Sequence, residues 1–490
     1  MLDYKKEDEK SIDKIDKLVE EGIRNNRSLD EIKDTLSLSG YFEGDIDASF
    51  HKIDVLLGKK VQKTADKSFM SKKYFLDRIG FGIAANQFIN VLFYLTGAGA
   101  FLVGIINAFK SGLSTIISSI FREYFQVKHV KKWIINVSGL LFGFSFLFIA
   151  LAVSKGSVVL FAISTLLGSI GIVIYGDLYR KMQSRTHGET KVRLLSVRTI
   201  LLGLVVSFIA MIGSAILMDS IPLTGKLFYL NIFGKLMSFR LHGFLLAFEA
   251  TALAFILSSY ILSKMNLLSE EKSITNREFI YRYYYRILSK GKTFFSNKYL
   301  FLLTLATLFT AVFQSVIYSL SGIYLFETFK DAWFFGFLNI AIIFGVPVLL
   351  SLLGPLIASR LNRILGLAPL LVFGSLLLAI FPLTVGYNSY FPAILTANIL
   401  AVIGISMLGT AQGLLSSRLL NDSERHTFYS YSGIITVIPF IVLAALILSL
   451  FSSIGIIGIL KISGVGIIVT LVPIYLILVF FLRKMPISKA

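Results

Sequence analysis

The chain reads as an all-α polytopic membrane protein, and three observations carry that reading. From Ile364 to Ser417 there are 54 residues without a charged side chain. The composition is 55% hydrophobic with a mean hydropathy of +0.76, outside the soluble globular range. Apolar windows of about 20 residues, enough for a helix to cross about 30 Å of hydrocarbon, recur over everything after about residue 75. Lipid offers no partner to a free peptide group, so the spans must be helices that satisfy their own backbone.

Residues 1–72 stand apart from the rest. They hold 16 acidic and 14 basic side chains, whereas 73–490 hold 13 acidic and 34 basic, so the net charge of +19 belongs to the apolar part. Ile12, Ile15, Leu18, Val19 and Ile23 share one helical face. Ser28 and Glu31 form a capping box before Leu29, Ile32 and Leu36, with Gly40 as a stop. A third helix carries Ile46, Phe50, Ile53 and Leu57. These features predict a cytoplasmic three-helix domain, either an inert cap or a module that regulates the membrane part or binds a protein partner. The N-terminus lacks the short apolar core and small-residue cleavage site of a signal peptide, so the first span is expected to direct insertion.

Twelve spans are expected. The first six lie near 79–96, 98–121, 133–153, 157–178, 199–218 and 242–263. The second six lie near 299–325, 333–358, 365–386, 390–415, 428–451 and 462–482. Pro382 and Gly386-Tyr387-Asn388-Ser389 divide the 54-residue uncharged run into two crossings. Residues 219–241, interrupted by Pro222, Lys226, Lys235 and Arg240, read as an interfacial loop with room for a short amphipathic helix. Alternate connections are basic: Arg122 to Lys132, Arg180 to Arg198, Lys264 to Lys298, Arg360 with Arg363, Arg418 with Arg425, and Arg483 with Lys484. The positive-inside bias places these and both termini in the cytoplasm, and the plasma (inner) membrane is the expected location. The excess charge therefore reads as topology and contact with anionic lipid headgroups, with no need for nucleic acid.

The connection 264–298 separates a first bundle, 73–263, from a second, 299–490. Its stretch from Asn276 sets Phe279, Ile280, Tyr283 and Ile287 among Arg277, Arg282, Arg286 and Lys290, a pattern for a helix at the headgroup level. The two bundles repeat each other. Gly104 and Asn107 in span two are followed 21 residues after the Asn by Lys128 and Lys131; Gly336 and Asn339 in span eight are followed at the same distance by Arg360 and Arg363. Asn90 stands four residues before Tyr94, as Gln314 stands before Tyr318. Arg185 and Lys191 after span four correspond to Arg418 and Arg425 after span ten.

Six spans repeated in one orientation and joined by a long cytoplasmic loop resemble the major facilitator superfamily. The run from Gly354 through Pro355 and Ala358-Ser359-Arg360 to Arg363 is similar to the glycine-and-arginine signature of that family, and Asn421-Asp422-Ser423-Glu424-Arg425 resembles a second family feature. The sequence departs from the signature at its usual acidic position, which is Ala358 or Ser359 here, and Ser118 or Ser119 stands where the first-half copy has glycine. The resemblance implies two pseudo-symmetric six-helix bundles that rock about a central site. It implies that Arg360, Arg363, Arg418 and Arg425 help close the cytoplasmic face, where they otherwise serve as topology determinants.

Polar residues within the spans are the candidate substrate-binding groups: Asn86, Gln87, Asn90 and Tyr94 in span one, Gln314 and Tyr318 in span seven, Asn398 and Gln412 in span ten. Amides are poorly accommodated by lipid, so they either bond helix to helix or face a cavity. The resemblance implies that spans one, four, seven and ten line that cavity. Lys110, near the middle of span two, either snorkels or pairs structurally, or attracts an anionic solute. Glu249 and Asp177 are candidates for proton coupling, with structural pairing and local neutralisation as the alternatives.

The chain has no cysteine, its five histidines lack metal-ligand spacing, and no phosphate-binding glycine loop precedes a Lys-Ser or Lys-Thr. No catalytic residue, metal or cofactor is expected. The function that follows is secondary transport of a small solute, possible substrates being an organic monoanion or an exported amphipathic compound, with protons as a candidate coupling ion. A non-transporting scaffold or receptor, or a lipid scramblase, is the alternative.

Overall fold

The computed structural model divides the chain into two compact units, Met1–Met70 and Ser71–Ala490. It describes residues 18, 36, 68–127, 132–185, 197–221, 224–232, 235–264, 276–351 and 353–483. Apart from Leu18 and Leu36, both helical, the faces expected over residues 12–57 lie outside the described residues, as do the pair Lys128 and Lys131, and Lys191.

Among the described residues, ten helices are long and apolar enough to cross a membrane, or eleven when a bent pair counts as one more. The first of them, Ser68–Phe121, covers 54 residues, about 80 Å if it ran straight. It does not run straight. A helix over 68–83 (α1) gives way to α2 (Asn86–Phe93), a single π turn (Tyr94–Ala98) and α3 (Gly99–Val127). Gly97 (φ 96°) and Gly99 (φ 66°) take up left-handed backbone at the turn, which side chains with a Cβ rarely adopt. Asn107 Nδ2 donates to Asn90 Oδ1 at 2.8 Å and Lys110 Nζ to Asn86 Oδ1 at 3.2 Å, across sequence separations of 17 and 24 residues. Those separations would span about 25 and 36 Å along one helix. The chain therefore turns back on itself.

The helix that carries the first span is already formed at residue 68, ahead of the apolar window expected from 79. Lys73 and Asp77 in that lead-in form an i,i+4 ion pair inside the helix, with the Lys73 side chain 1% exposed.

The remaining helices of the first half are α4 (Lys132–Lys155), α5 (Val158–Arg185), α6 (Val197–Ser220) and α7 (Gly243–Lys264). Gly156 (φ 61°) makes the tight α4–α5 turn. Between α6 and α7 the expected loop or amphipathic helix is instead an antiparallel hairpin, β1 (Lys226–Ile232) with β2 (Lys235–Leu241), in register from Lys226 opposite Leu241 to Ile232 opposite Lys235. Runs of seven residues rich in Phe, Leu, Ile and Tyr suit a strand as well as a helix turn, so periodicity does not separate them. Only this hairpin departs from an all-helical pattern among the described residues.

The connecting helix α8 (Asn276–Ser296) is followed by α9 (Lys298–Phe329), which the side chain of Asn297 caps by accepting from Tyr299 N–H at 3.0 Å. The expected span 333–358 is two helices, α10 (Gly336–Leu350) and α11 (Leu353–Leu365), bent by 43° just beyond Pro347. Then follow α12 (Leu367–Tyr387), α13 (Phe391–Leu419, with Pro392 in its first turn), α14 (Asp422–Ser449) and α15 (Phe451–Arg483). The Asn421–Arg425 run starts α14 as a capping box, Glu424 Oε2 accepting from Asn421 N–H at 3.4 Å.

Helix packing is duplicated. α4 packs on α5 and α7 as α12 packs on α13 and α15, and α3 meets α5 as α10 meets α13. Across the halves, α3 packs on α14 and α10 on α6, while α9 lies against α2 and α3. The close approach of α9 to α2 depends on Gly322, where a Cβ would stand 2.5 Å from Gln87 Oε1. Gly322→Val should therefore displace the Gln87 side chain and crowd the α2–α9 contact, at a cost of about 1–3 kcal/mol, measured as a drop in the denaturation midpoint. Outward faces stay apolar, with Ile209, Ile438 and Val469 each more than 60% exposed, as a lipid-facing surface requires.

Candidate functional site

Two cavities lie where the halves meet. The first, of about 460 Å³, is walled by α1 to α6 of the first half and by α9, α10 and α13 of the second. Its walls are largely apolar, with five phenylalanines: Phe81, Phe142, Phe146, Phe208 and Phe344. Lys110 is the one charged side chain among its lining residues. Asn86 holds the Lys110 ammonium through the 3.2 Å bond that closes the α2–α3 hairpin.

Polar atoms without a protein hydrogen-bond partner gather at this chamber. Gln87 Oε1, Thr165 Oγ1, Tyr318 Oη and Asn398 Oδ1 are buried and unpaired, and all four residues line it. They come from α2, α5, α9 and α13. Asn398 Nδ2 donates to the Ile343 carbonyl at 2.8 Å, which fixes the amide with its oxygen unpaired. Buried polar groups nearly always find partners, so these four atoms have hydrogen-bonding capacity to offer a solute or water in the void. The site offers an ammonium and two hydroxyls as donors, and two amide oxygens as acceptors.

The second cavity, of about 470 Å³, lies between α3, α9 and α14 and contains no charged lining residue. Gln314 lines it, with Ser111, Thr115, Thr307, Ser432 and Thr436. Three of these hydroxyls are tied to backbone carbonyls one turn earlier: Thr115 to Ser111, Thr307 to Leu303 and Thr436 to Ser432, at 2.9, 2.7 and 2.7 Å. Lys110 beside Ser111, and Tyr318 one turn from Gln314 and Ser315, bring the two chambers together.

The structure thus gathers Asn86, Gln87, Lys110, Tyr318 and Asn398 at one void and puts Gln314 in its neighbour. It places the other candidates elsewhere. Asn90 is buried and bridges the halves, donating to the Tyr318 carbonyl at 3.1 Å and accepting from Asn107. Tyr94 sits in the π turn, outside both linings. Gln412 donates to Tyr475 Oη at 2.7 Å, tying α13 to α15; Gln412→Leu should cost about 1 kcal/mol of stability and leave solute binding unchanged. Glu249 is exposed on the outer face of α7, and Asp177 is buried in α5 away from both chambers. Arg360 is exposed in the middle of α11, Arg363 and Arg418 are exposed near the ends of α11 and α13, and Arg425 is partly covered at the start of α14. Sequence reasoning missed Thr165, whose hydroxyl is ordinary among the serines and threonines of apolar helices and gains meaning only from its place on the wall.

No family model and no curated protein matches the sequence. Solved structures do match. The nucleoside transporter NupG superposes with a TM-score of 0.61 at 10% identity, covering 86% of this chain and 99% of that one. This is the major facilitator fold. A POT family transporter in complex with 5-aminolevulinic acid matches at 0.55 and 15% identity, covering 86% of this chain and 96% of its own. A bacterial homologue of the iron transporter ferroportin matches in its inward-facing state at 0.56 and 14% identity, over 84% of this chain and 98% of its own. The same homologue in its outward-facing state with soaked iron matches at 0.51. At 10–15% identity these likenesses show the fold alone. It does not choose the solute, since these three are named for unlike ones.

Proposed function

We propose that the chain is a secondary transporter that carries a small organic monoanion by alternating access, bound in the Lys110 chamber. The carrying observation is a single ammonium facing a void ringed by four orphaned polar atoms, with no carboxylate in its lining. One positive charge in a low-dielectric pocket matches one negative charge and leaves a polyanion unbalanced. The two amide oxygens call for an N–H or O–H on the same solute, and the phenylalanines for an apolar body. Protons remain a candidate coupling ion. Glu249 is exposed on α7 and Asp177 buried in α5, and neither lines a chamber, so a coupling role for either would act at a distance from the solute.

The topology that supports this reading has twelve crossings, counting the Ser68–Phe121 hairpin as two and α10 with α11 as one. The domains are then a cytoplasmic module over 1–72 with its own protein partner, bundles over 73–263 and 299–490, and the linker 264–298. Both termini face the cytoplasm of the inner membrane, where Arg360, Arg363, Arg418 and Arg425 flank the inner opening. A thermal-shift screen of the purified full chain against carboxylates and neutral analogues, followed by flux in proteoliposomes, tests the proposal. Stabilisation by monoanions and their saturable uptake are expected. Movement of labelled lipid without a gradient, or uptake only of neutral compounds, overturns it.

A further inference from the structure

We infer that Asp219 is a gate latch, holding the two halves together at the end of the molecule opposite α8. Asp219 ends α6 in the first half, yet its carboxylate caps a helix of the second. Oδ1 accepts from Phe337 N–H at 2.8 Å and Oδ2 from Leu338 N–H at 2.9 Å, across separations of 118 and 119 residues. Both donors are in the first turn of α10, where backbone N–H groups lack partners within the helix and the helix dipole favours a negative charge.

The loop that presents them is shaped for the contact. Gly336 has φ 39°, and a Cβ there would collide with Asp219 Oδ1. Trp333 (φ 59°) and Phe335 (φ 67°) are the non-glycine residues with positive φ among those described. Such backbone persists only where its surroundings hold it. Asn339 does so, donating to the carbonyls of Phe329 and Ala332 at 2.7 and 2.9 Å and accepting from Phe334 N–H at 3.1 Å. Trp333 adds a stack on Phe391, ring centroids 5.3 Å apart. The α9–α10 turn is thereby rigid in its own half, and Asp219 is the hook that reaches it from the other.

This inference rests on the alternating-access reading, in which the contact must break each time the chamber opens at this end. It engages backbone groups, so no basic residue has to be supplied by the opposite half. Helix-capping carboxylates act through charge as well as hydrogen bonds, which sets the order expected of the variants.

The natural absence of cysteine allows a direct test. Met211 lines the chamber on α6, eight residues before Asp219 and so about 12 Å below it. The full chain carrying Met211→Cys is reconstituted, and its labelling by an impermeant maleimide is timed from the side on which Asp219 lies. Asp219→Ala and Gly336→Ala should each raise the labelling rate at least about tenfold, Asp219→Asn should raise it less, and the double Ala variant should add little to either. Denaturation midpoints are measured alongside. Unchanged labelling in Asp219→Ala, with or without a lowered midpoint, makes the carboxylate a structural cap and overturns the latch. If labelling stays unchanged while monoanions still bind through Lys110, the latch falls and the transport reading stands. If it rises while no monoanion binds, the solute reading falls instead.

Discussion

Lys110→Gln is expected to weaken binding of an organic monoanion by about 30-fold, or roughly 2 kcal/mol. The side chain lies at the α2–α3 hairpin, where Asn86 at 3.2 Å aims the ammonium along the chamber wall. No other lining residue of that chamber is charged, so no second base can compensate. Glutamine keeps much of the length and the ability to donate, which isolates the charge. Neutral analogues of the same solute should lose far less affinity. Equal dissociation constants for the parent and the Lys110→Gln variant, measured calorimetrically with the same monoanion, would remove the ammonium from the site. Asn86→Leu should move affinity in the same direction by a smaller amount, because it releases the ammonium without deleting it.

Asp77→Ala should cost about 3–5 kcal/mol of stability. The Asp77 carboxylate pairs with Lys73 one helical turn earlier, accepts from Ser258 Oγ on α7, and lies 3.3 Å from Tyr175 Oη on α5. The Tyr175 and Ser258 hydroxyls are themselves 2.7 Å apart, and the Lys73 ammonium stands 4.6 Å from the centre of the Tyr175 ring. Removing the carboxylate takes a counter-charge from a nearly fully buried ammonium and a shared acceptor from three helices. Lys73→Met with Asp77→Leu should recover most of the loss, since the double change removes both charges together. Denaturation in mixed micelles reads both variants. A single variant as stable as the parent would show the pair to be dispensable.

These two groups show why the polar residues of this chain are legible to different degrees. Lys110 is conspicuous because it interrupts a long apolar window. Lys73 and Asp77 follow the charged N-terminal stretch without a break, so they read as flanking sequence and their pairing inside the bundle goes unseen. Asn90 and Gln314 hold equivalent places in the repeat, yet one bridges the two halves and the other lines the second chamber. Spacing gives a residue its helical face. It does not give the neighbour that face will meet.

The membrane-spanning helices were legible from the apolar windows, and the resemblance to the major facilitator superfamily from the repeat and the Gly354–Arg363 run, none of which requires knowledge of any contact. The length of each window is set by the thickness of hydrocarbon, and helicity by the cost of a free peptide group in lipid, so both are local properties of the chain. What only the tertiary structure decided is which polar atoms are left without partners. Gln412 and Gln87 are the same residue type in similar apolar surroundings; Tyr475 satisfies the first, while the oxygen of the second is left unpaired at the chamber wall. The distinction arises because hydrogen bonds between helices are formed by residues far apart in sequence, and a void exists only where several such helices fail to fill the space between them.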